Sequence, residues 1–141
     1  MISKPVRVLF VDDNQLMAGS LERRLAFEKQ VMYVGWVADP TDAARVAQEA
    51  DADIVMLDVD MPGDSFELAR ELSTMLPNVK VVMFSGYTKA DYVDRAVDVG
   101  AWGYISKSET METILSAIRR VASGEFVLSP EAESMQAGEP E

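Results

Sequence analysis

Short apolar runs alternate along the chain with longer segments in which apolar residues recur every three or four positions. Three of the five runs are almost continuously hydrophobic, which is typical of strands covered on both faces of a sheet. The runs that predict strands span residues 6–11, 32–37, 54–57, 79–84 and 102–106. The alternation predicts an α/β fold in which five parallel strands are joined by right-handed helical crossovers.

The segments between these runs carry signals for the ends of helices. Asp39 before Pro40 predicts a cap followed by a first-turn proline. Asp64, with Glu67 three residues later, resembles a capping box, and Gly100 follows a helical pattern as a C′ glycine would. The last helix has the clearest apolar stripe, formed by Met111, Ile114, Leu115, Ile118, Val121 and Ala122. The pattern therefore predicts five strand–helix units.

The character of the chain changes after Gly124. Residues 125–141 contain five glutamates and two prolines, with few apolar side chains. A segment of this composition cannot bury enough apolar surface to order itself. We therefore expect residues 1–124 to form one domain and residues 125–141 to be a mostly disordered acidic tail.

Composition and charge exclude several classes of function. The chain has no cysteine and no histidine, which removes disulfides, thiolate chemistry, histidine bases and histidine metal ligands. The formal net charge of −11 disfavours contact with nucleic acids and anionic membranes. No apolar stretch is long enough to span a bilayer, so the expected location is the cytoplasm.

Polar side chains mark the ends of four of the five predicted strands. They are Asp12 and Asp13 after the first strand, Asp58 after the third, Ser85 at the fourth and Lys107 after the fifth. Since parallel strands present their carboxyl ends at one edge of a sheet, these side chains are expected to converge on one pocket.

The combination makes chemical sense as a phosphoryl site. Three close carboxylates repel one another unless a hard cation is bound, and a set of oxygen ligands suits Mg2+. Asp58 can then attack a phosphorus atom, while Lys107 and Ser85 bind oxygens of the phosphoryl group. Each residue alone also has a structural interpretation, because acidic residues and serine often cap helices and lysine is often solvated. Their occurrence at four strand ends favours one shared site.

The order of these motifs resembles that of a known family. Strand–Asp-Asp, strand–Asp-x-x-Met-Pro-Gly, strand–Ser-Gly and strand–Lys are similar to the receiver domain of bacterial two-component response regulators, over residues 5–124. The phrases LDVDMPG, GAWGYISKS and GEFVLSP most resemble the NarL/FixJ-type branch. The resemblance implies a flavodoxin-like, doubly wound (βα)5 fold with a parallel five-stranded sheet of order 2-1-3-4-5.

The resemblance also implies a role for each carboxylate. Asp58 would be the phosphoacceptor, and Asp13 and Asp58 would be direct Mg2+ ligands together with the backbone carbonyl of Asp60. Asp12 would bind the ion through water. The side chain of Asp60 would flank the phosphoryl group and adjust its lifetime; a solvated loop aspartate without such a role is the alternative.

The remaining roles implied by the resemblance concern switching. Lys107 and Ser85 would bind the phosphoryl group, and Tyr104 would turn inward when the Ser85 hydroxyl moves; simple packing of Tyr104 on the fourth helix is the alternative. The partner would be a histidine kinase or phosphotransfer protein. A homodimer or output partner would use the fourth helix, fifth strand and fifth helix. The chain would catalyse no reaction other than its own phosphorylation and dephosphorylation.

Two other functions fit part of the pattern. Asp58-Val59-Asp60 resembles the nucleophile and acid/base pair of haloacid-dehalogenase-like phosphatases, but there the Asp-x-Asp lies on the first strand and the acidic pair comes last. A pseudo-receiver that binds partners without phosphorylation is the second alternative. One departure from the receiver pattern follows Met61-Pro62-Gly63, where the chain is about one residue shorter, so that either the loop is tighter or the third helix starts earlier.

Overall fold

The computed structural model describes residues 4–137. Strands and helices alternate, and a 3₁₀ turn precedes the second helix. The strands are β1 (Val6–Val11), β2 (Val31–Val37), β3 (Ile54–Asp58), β4 (Lys80–Ser85), β5 (Gly103–Ser106) and β6 (Val127–Leu128). The helices are α1 (Gln15–Leu25), α2 (Ala43–Glu49), α3 (Ser65–Met75), α4 (Ala90–Asp98), α5 (Met111–Ala122) and α6 (Pro130–Ala137). None of the helices within residues 4–137 has the length and hydropathy required to cross a membrane.

All six strands form one parallel sheet in the order β2-β1-β3-β4-β5-β6. The first five strands therefore have the predicted flavodoxin-like order, and the prediction of a doubly wound α/β fold is confirmed. Two apolar clusters cover the two faces of the sheet, one with residues of α2, α3 and α4 and the other with residues of α1 and α5. All five residues of β3 are buried, which explains its continuous apolar sequence.

The helix ends are fixed largely by local side chains. Asn14 caps α1, because its side chain accepts a hydrogen bond from the Met17 amide at 3.1 Å. Asp64 accepts from the Glu67 amide at 3.0 Å, so α3 begins directly after it and the preceding loop is short, as expected. Gly100 has φ +85°, as predicted for a glycine beyond a helix end.

The expected disorder after Gly124 is wrong for residues 127–137, which form β6 and α6. Val127 donates a backbone hydrogen bond to Trp102 at 3.0 Å, and Val127 and Ala132 are both buried. The prediction failed because a few buried residues are enough to order a segment when an existing strand edge supplies hydrogen-bond partners for its backbone. Residues 138–141 of the predicted tail lie outside the described residues, and the domain boundary at Gly124 stays a prediction.

A close backbone approach permits this sixth strand. A Cβ atom added at Gly103 would lie 2.7 Å from the carbonyl oxygen of Val127, well inside van der Waals contact. Glycine at this position of β5 therefore allows β6 to pair with it.

Candidate functional site

The carboxyl ends of β1, β3, β4 and β5 meet at one edge of the sheet, as predicted. Asp58 and Ser85 are the last residues of β3 and β4, while Asp12 and Lys107 directly follow β1 and β5. The Lys107 amide donates to the Ser85 carbonyl at 2.8 Å and so continues the pairing of β4 with β5. The parallel strands thus place four of the predicted site residues side by side at the carboxyl edge of the sheet.

Three carboxylates lie together at this edge. Asp12, Asp13 and Asp58 each offer an oxygen atom within 4.8 Å of the others. Asp12 and Asp58 are only 2% and 1% exposed, whereas Asp13 is exposed. The site therefore has two buried charges and one facing solvent, which leaves an open side through which a ligand can enter.

The donor set fits a hard cation. Oδ2 of Asp12 is buried, and its contact among the described residues is the ion pair with Lys107 at 2.9 Å. One ammonium group does not balance the clustered carboxylates of Asp12, Asp13 and Asp58, and a bound cation would offset the remaining negative charge. Oxygen ligands with one solvent-facing member match the preference of Mg2+ for a partly hydrated site. The residues could thus hold Mg2+; the role predicted for the Asp60 carbonyl stays a prediction.

Lys107 provides the positive charge of the site. Its Nζ lies 2.9 Å from Oδ2 of Asp12 and 3.1 Å from Oδ1 of Asp58. Burial alone would lower the pKa of Lys107, but the hydrogen bonds and charges of Asp12 and Asp58 outweigh it and raise the pKa above its ordinary value. The ammonium group therefore remains charged and partly balances the two buried carboxylates.

Asp58 is held in an environment that disfavours its charge. Burial, together with the charge of Asp12, raises the pKa of Asp58 to about 6, although the Asp60 amide and Lys107 oppose this shift. Oδ1 of Asp58 accepts from the Asp60 amide at 2.9 Å and contacts Lys107. Oδ2 accepts no hydrogen bond among residues 4–137, so one oxygen of this carboxylate is available to react.

Ser85 lies at the site, but its hydroxyl is engaged with the loop that follows β4. Its Oγ donates to the carbonyl of Tyr87 and accepts from the Tyr87 amide at 2.9 Å. The carboxylate of Asp60 spans to the same loop and accepts from the Gly86 amide at 2.9 Å. The Asp60 side chain is thus not simply solvated, because it joins the β3–α3 loop to the β4–α4 loop; its expected place beside the phosphoryl group stays a prediction.

Tyr104 is fully buried on β5 and contacts the same loop. Its hydroxyl donates to the Tyr87 carbonyl at 2.8 Å, the acceptor that Ser85 also uses. Burial raises the pKa of Tyr104 to about 12, so the hydroxyl keeps its proton. The ring also packs in a cluster with Val93 and Ala96 of α4. Tyr104 is thus buried and packed with α4 while the Ser85 hydroxyl still contacts Tyr87; the movement of Tyr104 with Ser85 stays a prediction.

Comparison with known proteins decides the family. The model of the response regulator receiver domain matches residues 8–119. The chain belongs to the response regulator receiver domain family. The order of the first five strands agrees with this family, and the phosphatase alternative loses its basis because the acidic pair follows the first strand and not the last.

Relatives of this receiver domain are regulators of the LuxR/NarL type, as the resemblance to the NarL/FixJ-type branch predicts. It is 33% identical to the response regulator GacA of Pseudomonas aeruginosa over 127 residues, which are 89% of this chain and 59% of that protein. It is also 33% identical to the response regulator protein VraR of Staphylococcus epidermidis, covering 89% of this chain and 61% of that protein. The receiver domain thus spans about three fifths of the length of these relatives.

A solved structure gives the same result for the fold. The crystal structure of a two-component response regulator of the LuxR family from Aurantimonas sp. SI85-9A1 superposes with a TM-score of 0.89 at 25% identity. The match covers 96% of this receiver domain and 97% of that chain. Because it covers this much of the chain, the similarity includes part of the segment after Gly124.

Three residues that sequence reasoning missed support the site of this receiver domain. The indole Nε1 of Trp36, near the end of β2, donates to the Asp12 carbonyl. The hydroxyl of Ser65 donates to the Asp58 carbonyl at 2.9 Å, and the Asn14 amide donates to Oδ1 of Asp12 at 2.8 Å. Trp36 lies near the end of β2, the one predicted strand without a polar site residue at its end, so its position in the sequence could have indicated a role in the site. The contacts of Ser65 and Asn14 depend on loop conformation.

Proposed function

We propose that this receiver domain accepts a phosphoryl group on Asp58, with Mg2+, from a histidine kinase or phosphotransfer protein of a two-component system. The observation that carries the proposal is the buried Asp58 carboxylate, which lies among Asp12, Asp13 and Lys107 and has one oxygen that accepts no hydrogen bond within residues 4–137. The chain would catalyse only its own phosphorylation and dephosphorylation, and it would act in the cytoplasm.

The chemistry needs few protein groups. Oδ2 of Asp58 attacks the phosphorus atom, a bond forms between them, and the bond from phosphorus to the donor nitrogen or oxygen breaks. When bound, Mg2+ supplies positive charge that offsets the carboxylates and the phosphoryl oxygens. Lys107 then exchanges its contact with the carboxylates for a phosphoryl oxygen, and Ser85 donates to another. Hydrolysis of the phosphorus–oxygen bond by water restores Asp58.

The shared acceptor at Tyr87 supports a switch. To reach the phosphoryl group, the Ser85 hydroxyl must leave the Tyr87 carbonyl, which Tyr104 also contacts. The hydrogen bonds of the β4–α4 loop would then rearrange, and the packing of Tyr104 against α4 would respond. A ligand that interacts differently with two arrangements shifts the population between them.

The proposed output surface lies on α4, β5 and α5. It would bind a second copy or an output partner, and this chain itself would contact neither nucleic acid nor membrane. Part of this surface is occupied, because α6 contacts α4 and β5 and β6 pairs with β5. Access to the surface therefore depends on the segment after Gly124.

Intact mass spectrometry after incubation with acetyl phosphate and Mg2+ tests the proposal. Wild type is expected to gain one phosphoryl group, which EDTA abolishes, and Asp58→Asn is expected to gain none. Asp98→Asn, which alters an exposed carboxylate of α4, is the matched control and should behave as wild type. No gain in wild type from acetyl phosphate or from a phosphorylated histidine kinase would favour the pseudo-receiver alternative.

A further inference from the structure

Residues 127–137 form a segment, here named the C-terminal strap, that covers part of the α4–β5 surface. β6 pairs with β5 through Val127, and α6 contacts both α4 and β5. Ala132 of α6 is fully buried in the apolar cluster that contains Tyr104, and Leu128 packs against the same cluster. The strap is thus part of the folded body.

A carboxylate clamp attaches the strap to the loop that carries Lys107. Oε1 of Glu131 accepts hydrogen bonds from the hydroxyls of Ser106 at 2.6 Å and Ser108 at 2.7 Å. These two serines flank Lys107 in the sequence. The hydroxyl oxygen of Ser129 accepts from the Ser106 amide at 3.1 Å. The strap therefore holds the residues on both sides of the site lysine.

The strap also contacts the backbone of the other proposed switch residue. The Ser129 amide donates to the Tyr104 carbonyl at 3.0 Å, and Leu128 is the register partner of Tyr104. One short segment therefore touches both Tyr104 of β5 and the loop that carries Lys107, the two places that phosphorylation is proposed to affect. This double contact makes the strap sensitive to a rearrangement at the site.

We propose that the strap is a displaceable cover of the α4–β5 surface, and that phosphorylation of Asp58 loosens it through the Lys107 loop. This inference rests on the function proposed above. Charge gives the direction: residues 125–137 contain three glutamates and no basic residue, and a phosphoryl group adds up to about two negative charges. Lys107 would also transfer its contact from the carboxylates to the phosphoryl group, and a shift of this lysine would be felt by the flanking serines that bind Glu131.

The strap is held weakly enough to move. α6 has eight residues, which is too short for a helix to be stable in water on its own. β6 has two residues, and the strap buries few apolar side chains beyond Val127 and Ala132. A segment with so little buried apolar surface opens at a lower free energy than the core, so a modest change in charge or hydrogen bonding can alter its population.

Hydrogen exchange of the strap amides tests the clamp in the unphosphorylated protein. Glu131→Ala removes two hydrogen bonds to a carboxylate, so the amides of Val127 and Ser129 are expected to exchange about tenfold faster or more. Glu133→Ala removes the same charge from the same helix but breaks none of the clamp hydrogen bonds, and it should exchange as wild type. Equal exchange in the two variants would overturn the clamp.

The coupling is tested by adding beryllofluoride and Mg2+, a mimic of the phosphoryl group. We expect faster exchange of Val127 and Ser129 in the occupied wild type and, because coupling is reciprocal, tighter beryllofluoride binding by Glu131→Ala than by Glu133→Ala. Unchanged or slower exchange in a protein shown to carry the mimic would overturn the inference alone. Absence of both beryllofluoride binding and phosphorylation of Asp58 would refute the proposed function, and the coupling with it.

Discussion

Replacing Asp58 with asparagine removes one negative charge from the buried pair formed with Asp12 and nearly preserves the volume of the side chain. Without a bound cation, the folded protein holds the Asp58 carboxylate with a pKa of about 6 instead of 3.8, mainly because of burial. The folded state therefore binds a proton more tightly than the unfolded state does. The variant tests directly how much this charge opposes folding.

The sign and size of the effect follow from linkage. Below about pH 3.8 the carboxyl is protonated in both states, and asparagine and aspartic acid should be equivalent. As the pH rises through about 6, the ionised carboxylate progressively destabilises the folded state. The pKa difference corresponds to at most about 3 kcal/mol, and solvent at the open side of the site reduces this to about 1–3 kcal/mol.

Urea unfolding in EDTA, at about pH 5 and about pH 7.5, measures this difference. Asp58→Asn should be more stable than wild type at the higher pH by about 1–3 kcal/mol, with roughly half that advantage at the lower pH. Added Mg2+ should stabilise wild type but not Asp58→Asn. Asp13→Asn, which changes the exposed carboxylate of the same cluster, should lose the Mg2+ effect without gaining stability in EDTA. Equal or lower stability of Asp58→Asn at the higher pH would refute the reasoning.

Three further substitutions test other contacts of the molecule. Lys107→Ala should strongly reduce phosphorylation by acetyl phosphate. Its Mg2+ affinity, followed by tryptophan fluorescence, should be equal to or higher than that of wild type, because the ammonium competes with the ion for Asp12 and Asp58. Weaker Mg2+ binding would contradict this. Tyr104→Phe should lower the free energy of unfolding by about 1 kcal/mol through loss of the bond to the β4–α4 loop, and an unchanged urea midpoint would count against that bond. Gly103→Ala should destabilise by about 1–3 kcal/mol and speed exchange in the strap, whereas unaltered strap exchange would show that the contact at 2.7 Å relaxes freely.

The sheet and the positions of the site residues were predictable because both depend on local patterns. Continuous apolar runs identify strands of a parallel sheet, and a polar residue at the end of a run falls at the sheet edge wherever the strands pair in register. Asp58 and Ser85 are indeed the last residues of β3 and β4. The capping role of Asp64 was predictable for the same reason, since its partner lies three residues away.

The contacts that the sequence did not reveal join segments that are distant along the chain. The reach of Asp60 to the Gly86 amide depends on the spacing of two loops. The order of the strap depends on the free edge of β5 and on the missing side chain of Gly103, so composition alone misjudged it. The cap of α1 is a local exception: Asn14 caps the helix, while the carboxylate of Asp12 accepts from the Asn14 amide and lies in the site.

The two-residue length of β6 also affects how the protein behaves at high concentration. In the sheet, β2 lies at one edge and β6 at the other. An exposed strand edge carries unpaired N–H and C=O groups and is a template for pairing with another chain. β6 presents a very short edge and pairs with Gly103 and Tyr104 of the four-residue β5. Any variant or condition that detaches the C-terminal strap therefore removes a barrier to edge-to-edge aggregation. The solubility of the protein thus depends on these eleven residues (127–137) as much as on the surface charge.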